Sequence, residues 1–221
     1  MRAVVFANGI LEYPTMAADL LSSEDFIISA DGGLRHIRDM GLVPHLLIGD
    51  LDSIGEEDLD WLQDRNVEIV KFPEEKDFTD LELALREAKK RGFNEIMIAA
   101  ALGGRIDQTL ANLSLLSLPE LSGCRVWLDD GLNEVHMIRD ALTIQGRAGD
   151  IVSLLPLYGP VPGVVTHDLK YPLKAETLSP GQTRGISNVM LSQQAGVEIE
   201  AGALLCIHTR RNVNEPETEE E

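Results

Sequence analysis

The chain has 221 residues, 44% of them hydrophobic and 25% charged, which is the balance of an ordinary globular protein with one large domain or two small ones. A net charge of −18 argues against nucleic acid as a main partner, because a phosphate backbone calls for a Lys/Arg surface. No apolar run is long enough to span a bilayer, and two cysteines do not make a disulfide scaffold at this size, so the composition predicts a cytoplasmic protein.

Met1–Phe6 runs straight into a strand and lacks the layout of a signal peptide. Apolar runs at Ala3–Ala7, Phe26–Ala30, Leu46–Ile48, Val67–Lys71, Glu95–Ala100 and Arg125–Leu128 predict short strands of a parallel sheet covered on both faces. Leu81, Leu85 and Ala88 recur at helical spacing between two of them. Thr79 and Glu82 form a capping box there, and Gly92 closes the helix. Ile106, Leu110 and Leu113 form a second helical stripe that ends before Pro119. Alternating strands and helices predict a doubly wound, Rossmann-like α/β domain over residues 1–130. From about Leu132 the chain changes character. Gly and Pro recur every few residues among short β-prone runs at Glu134–Ile138, Ile151–Pro156, Gly163–Thr166, Val197–Glu200 and Leu204–His208. This predicts a small all-β sandwich or barrel over 131–212, followed by a disordered acidic tail at 213–221. Cys124, Cys206 and Trp127 sit in apolar runs and read as core residues.

Four acid-rich motifs fall at strand exits or helix starts of the first half: Asp31-Gly32-Gly33, Gly49-Asp50-Leu51-Asp52-Ser53, Lys76-Asp77-Phe78-Thr79-Asp80 and Gly103-Gly104-Arg105-Ile106-Asp107-Gln108. Singly, each has a plain reading as a tight turn, an Asx-turn or a helix-dipole partner. A parallel sheet places the exits of its strands along one edge, where the carboxylates can converge. Converging carboxylates repel each other unless a cation lies between them, and Mg²⁺ with a polyphosphate is the natural filler. Asp50 and Asp52 are the first candidates for Mg²⁺ ligands, with Asp77 completing the shell or contacting a substrate hydroxyl. Lys76 and Arg105 can meet phosphate oxygens, and Gly103 and Gly104 let backbone N–H groups approach an anion. No Walker A loop is present.

Taken together, the four ordered motifs resemble the DGG, GDxDS, KDxTD and GGRxDH elements of the thiamine pyrophosphokinase family. Thr166–Leu173 and Gly185–Asn188 are similar to that family's GLKYPL and SN segments. The resemblance implies transfer of pyrophosphate from ATP to the hydroxyethyl group of thiamine, releasing AMP. It implies a thiamine-binding β domain and a homodimer with sites between subunits. It assigns Asp50, Asp52, Asp77 and Asp80 to catalysis, with Mg²⁺ on Asp50, Asp52 and Asp77. Asp31, Gly32, Lys76, Gly103, Gly104, Arg105, Asp107 and Gln108 fall to ATP, and Ser187 and Asn188 to thiamine. Two positions depart from the pattern. Gln108 stands where His is usual, and His167-Asp168 replaces the Gly before the LKYPL run. Gln cannot carry a proton near neutral pH, so a binding protein without turnover is one alternative. The other is a phosphatase of the haloacid-dehalogenase type with Asp50 as nucleophile, although Ile54 and the motif's place after the third strand fit that pattern poorly.

Overall fold

The computed structural model describes residues 1–75 and 77–211; Lys76 and the acidic tail at 213–221 lie outside the described residues. The chain divides into two units, Met1–Gly131 and a second beginning at Leu132.

In the first unit, six strands form a parallel sheet: β1 (Arg2–Phe6), β2 (Phe26–Ala30), β3 (Leu46–Gly49), β4 (Glu68–Lys71), β5 (Glu95–Ala99) and β6 (Arg125–Asp129). Their order is β6-β5-β1-β2-β3-β4. The chain steps outward from β1 to β4, then returns to the other side of β1 for β5. Helices α1 (Pro14–Ala18), α2 (Leu34–Asp39), α3 (Glu56–Gln63), α4 (Asp80–Lys90) and α5 (Ile106–Leu115) connect the strands. The strands β1, β2, β3 and β5 are buried almost end to end, as a sheet covered on both faces requires, whereas the edge strand β4 is not. Val4, Phe6, Ile27, Met97 and Trp127 form one apolar cluster, and Leu34, Leu47 and Leu62 another.

The helix α4 starts where the Thr79 hydroxyl accepts the Glu82 N–H at 3.2 Å, and it buries Leu81, Leu85 and Ala88. The Glu82 carboxylate pairs with Arg86 at 2.8 Å. Thr79→Ala removes the cap and should cost about 1 kcal/mol in a urea melt; an unchanged midpoint would show that packing alone sets the start of this helix. The helix α5 forms where the second stripe predicts it. Its stripe is not a core face: Ile106 is 77% exposed and Leu110 58%, and Asn112 is the buried residue of the helix.

The second unit has eight strands and no helix among its described residues: β7 (Asn133–Ile138), β8 (Ala141–Gln145), β9 (Ile151–Leu155), β10 (Val161–His167), β11 (Lys174–Leu178), β12 (Asn188–Val189), β13 (Gln194–Glu198) and β14 (Leu204–Thr209). All pairings between them are antiparallel. One set runs β12-β9-β14-β7 and the other β11-β10-β13-β8. Ile138, Val152, Leu154 and Cys206 from the first set pack against Ile144, Val164, Leu178 and Val197 from the second, which is a sandwich core. The Cys206 thiol is pushed up to about 12 by burial and by Glu134 nearby, so it stays protonated. Cys124, in the first unit, is half-buried beside Lys89, whose Nζ lies 3.2 Å from Sγ.

A charged group sits inside the β7/β14/β9 face. His208 is 1% exposed and bonds both ways, through Nε2 to Asp150 Oδ2 at 2.9 Å and through Nδ1 to Glu134 Oε2 at 3.3 Å. Glu134 also meets His136 at 2.8 Å and Arg210 at 3.1 Å. Asp150 accepts the backbone N–H groups of Arg147 and Arg211, each at 2.9 Å.

Candidate active site

The return of the chain past β1 opens a crevice beyond the carboxyl ends of the strands, the usual ligand position in such sheets. The crevice here is a cleft of about 670 Å³ within the first unit. Ala7–Ile10 come to it from the exit of β1, Asp31 from β2, Asp50 and Asp52 from β3, Phe78–Leu81 from the start of α4, and Gly103–Arg105 from the exit of β5.

Three carboxylates meet there. Asp31, Asp50 and Asp52 each offer an oxygen within 4.8 Å of the others. Local backbone chemistry brings them together. Asp31 takes a left-handed φ of 43° and opens a tight 3₁₀ turn, Asp31–Gly33. Gly33 is needed in that turn because a Cβ there would lie 2.1 Å from the Phe6 carbonyl oxygen. Gly49 serves the same purpose on β3, where a Cβ would lie 2.8 Å from Asp31 Cβ. Between Asp50 and Asp52, Leu51 takes φ 71° and packs on the Leu34, Leu47 and Leu62 cluster. The Leu51 anchor holds a conformation that a branched side chain ordinarily avoids, and with it the placing of both acids. The Asp52 N–H donates to Asp50 Oδ1 at 3.3 Å, and the Ser53 hydroxyl to Asp52 Oδ1 at 3.0 Å.

Asp31 is only 6% exposed, and its Oδ1 has no hydrogen-bond partner among the described residues. An unpaired buried polar atom costs about 1–3 kcal/mol, and two neighbouring carboxylates add repulsion. An all-oxygen donor set with an orphaned buried oxygen fits a hard divalent cation such as Mg²⁺.

Of the other residues singled out by sequence, Asp80, Gly103, Gly104, Arg105 and Gln108 line the same cleft. Asp77 is exposed and does not line it; Asp31 takes the third place beside Asp50 and Asp52. Asp107 lies just outside, paired with Arg105 at 2.6 Å. That pair holds the Asp107 carboxyl below its ordinary range and the guanidinium above. Gly32 packs behind the wall, where a Cβ would meet the Asn8 side chain at 2.4 Å. Lys76 lies outside the described residues. Ser187 and Asn188 belong to the second unit. The Asn188 amide is spent on backbone, accepting from Tyr171 N at 2.9 Å and donating to Tyr171 O at 2.7 Å, so it shapes the Lys170–Tyr171 loop. Trp127 is buried in the core with Arg125 over its ring, away from the cleft lining. Arg35, Glu74 and Asn112 line the cleft without having been singled out, as does Ser53, the last residue of the Gly49–Ser53 motif. Asn8 and Gly9, the step at the end of the first strand that the sequence places at the cleft, line it too.

Two family descriptions match the chain: "Thiamin pyrophosphokinase, catalytic domain" over residues 17–128 and "Thiamin pyrophosphokinase, vitamin B1 binding domain" over residues 136–206. The chain belongs to the thiamin pyrophosphokinase family. Thiamine pyrophosphokinase of Bacillus subtilis is 27% identical over 186 residues, covering 82% of this chain and 86% of the relative. Thiamine pyrophosphokinase 1 of Oryza sativa is 25% identical over 240 residues, covering 94% and 87%. The crystal structure of the Bacillus subtilis protein has the same fold, with a TM-score of 0.86 at 24% identity over 96% of this chain and 100% of that one.

Within the thiamin pyrophosphokinase catalytic match lie the three clustered aspartates, Asp80, Arg105 and Gln108. The departure at His167-Asp168 has a conformational explanation. Asp168 takes φ 57°, the left-handed region that Gly enters freely and Asp tolerates.

Proposed function

We propose that this chain is a Mg²⁺-dependent thiamine pyrophosphokinase, transferring the pyrophosphate of ATP to the hydroxyl of thiamine and releasing AMP. The observation that carries the reading is the Asp31, Asp50 and Asp52 group with its orphaned Oδ1, set at the switch point of a sheet whose unit matches the family's catalytic domain. Asp31, Asp50 and Asp52 would hold the Mg²⁺, which when bound neutralises phosphate charge. The glycine turn Gly103–Gly104 and Arg105 supply N–H donors for the phosphates. The thiamine oxygen bonds to the β-phosphorus of ATP as the bond to the AMP oxygen breaks, and the hydroxyl proton passes to a carboxylate. Asp80 is the better placed acceptor, since it lines the cleft and Asp77 does not. Gln108 donates and accepts hydrogen bonds without exchanging a proton, so proton handling falls to the acids. The negative lining also favours the approach of thiamine's cation.

Ser187 and Asn188 fit a thiamine site on the second unit, with Asn188 positioning the loop. The exposed Ile106 and Leu110 on α5 support a homodimer. No described helix is long and apolar enough to cross a membrane, and we place the activity in the cytoplasm. Incubation with ATP, Mg²⁺ and thiamine should yield AMP and thiamine diphosphate in equal amounts. ADP with thiamine monophosphate, or free phosphate alone, would contradict pyrophosphoryl transfer.

A further inference from the structure

Among the described residues the cleft offers a polyphosphate few cations. Its described lining holds five acids, Asp31, Asp50, Asp52, Glu74 and Asp80, against two cations, Arg35 and Arg105. The two cations differ. Arg105 is already held by Asp107 through two bonds, at 3.1 and 2.6 Å, and stands 73% exposed. Arg35 has no carboxylate partner among the described residues, and its contacts are neutral. Its Nη2 donates to the carbonyls of Gly9 at 2.7 Å and Asn8 at 3.2 Å. Its Nε lies 3.3 Å from His36 Nε2. That ring nitrogen is also 2.9 Å from the Gly9 oxygen, which requires its hydrogen to point there and makes the Arg35 approach a packing contact. Burial lowers the His36 pKa, and the neighbouring Arg35 charge lowers it further, so the ring stays neutral and leaves the Arg35 charge intact.

We propose that Arg35 is the anchor for the terminal phosphates of the nucleotide, a role that rests on the pyrophosphokinase reading of the cleft. Arg35 directly follows the Asp31–Gly33 turn and Leu34, so the residue that brings in a metal-site carboxylate also sets the guanidinium. The two carbonyls of the β1 exit fix Nη2, and the Nη1 edge keeps two N–H donors for an anion. A planar fork braced in advance loses little freedom when it binds, whereas the Arg105 fork is already spent on Asp107.

The test uses Mg²⁺-tripolyphosphate, which carries the phosphates and no nucleoside, alongside ATP, adenosine and thiamine. Arg35→Gln should raise the KM for ATP and weaken tripolyphosphate binding at least tenfold. The KM for thiamine and inhibition by adenosine should stay within about twofold, and the melting temperature should be unchanged. Arg35→Lys retains the charge and loses the fork, so it should recover part of the loss. Unchanged tripolyphosphate binding in Arg35→Gln overturns the proposal, as does a wild type that does not bind tripolyphosphate. Equal weakening of ATP and adenosine also overturns it, because Arg35 would then only brace the Asn8–Gly9 loop. A wild type that binds tripolyphosphate through Arg35 yet forms no AMP would instead sink the reaction and leave the anchor standing.

Discussion

Asp31→Asn should lower turnover about a thousandfold, the order lost when several kcal/mol of transition-state charge stabilisation is removed. It should leave the fold at least as stable as before. Asp31 is buried with an unpartnered oxygen next to Asp50 and Asp52, so removing its charge relieves repulsion. Asn also accepts the left-handed φ of 43° as readily as Asp, which makes the substitution a clean change of charge. A second reading separates metal binding from catalysis alone. Mg²⁺ should raise the melting temperature of the wild type and not that of Asp31→Asn, because only a ligand bound by the folded state stabilises it. Equal Mg²⁺ stabilisation of both proteins would remove Asp31 from the metal site.

The second large effect concerns stability. Removing His208 as His208→Ala leaves Glu134 and Asp150 facing each other without their shared partner, and should cost about 3–5 kcal/mol. Burial alone would lower the His208 pKa, but the hydrogen bonds and charges of Glu134 and Asp150 outweigh it and raise the folded value above the ordinary 6.5. Burial likewise opposes ionisation of the two acids. It is outweighed by His136 and His208 at Glu134, and by Arg211 N–H and His208 at Asp150, so both fall below their ordinary 4.5 and 3.8. The signs follow from linkage. The histidine contribution is complete below pH 6.5 and fades as pH rises through the raised folded value. The carboxylate contributions are complete above about pH 4.5 and fade as pH falls through the depressed values. Wild-type stability should therefore decline as pH rises above 6.5, and His208→Ala should flatten that decline. Urea melts between pH 6 and 9 check this, and parallel slopes for the two proteins would rule out His208 as the group responsible.

The parallel sheet and the strand-exit motifs were legible in the sequence because most of its strands are apolar runs, and those of β2 and β3 lead straight into Asp31-Gly32-Gly33 and Gly49-Asp50. The parts that escaped share a physical cause. The strands β8, β11 and β12 were missed, and each is an edge strand of its set, where exposed faces dilute the apolar signal. The stripe Ile106, Leu110 and Leu113 has helical spacing but faces outward, and spacing alone does not say which surface covers it. The place of Asp31 beside Asp50 depends on β2 lying next to β3 and on the small Gly49 between them, a neighbourhood that only the folded sheet creates. The sequence reading of Asp77 as a metal ligand came from its motif, whereas it is Asp80, in the first turn of α4, that lines the cleft. Glu134, Asp150 and His208 are far apart in the chain and meet only through the pairing of β14 with β7 and β9.

The central claim is that the three clustered aspartates run a metal-dependent transfer of pyrophosphate. The most direct measurement is mass spectrometry of AMP and thiamine diphosphate formed from ATP and thiamine by the wild type and by Asp31→Asn, with and without Mg²⁺. Equal amounts of both products from the wild type only when Mg²⁺ is present, and almost none from Asp31→Asn, is the predicted result. Products that form without added divalent metal in the presence of a chelator, or equal turnover by the two proteins, would contradict it.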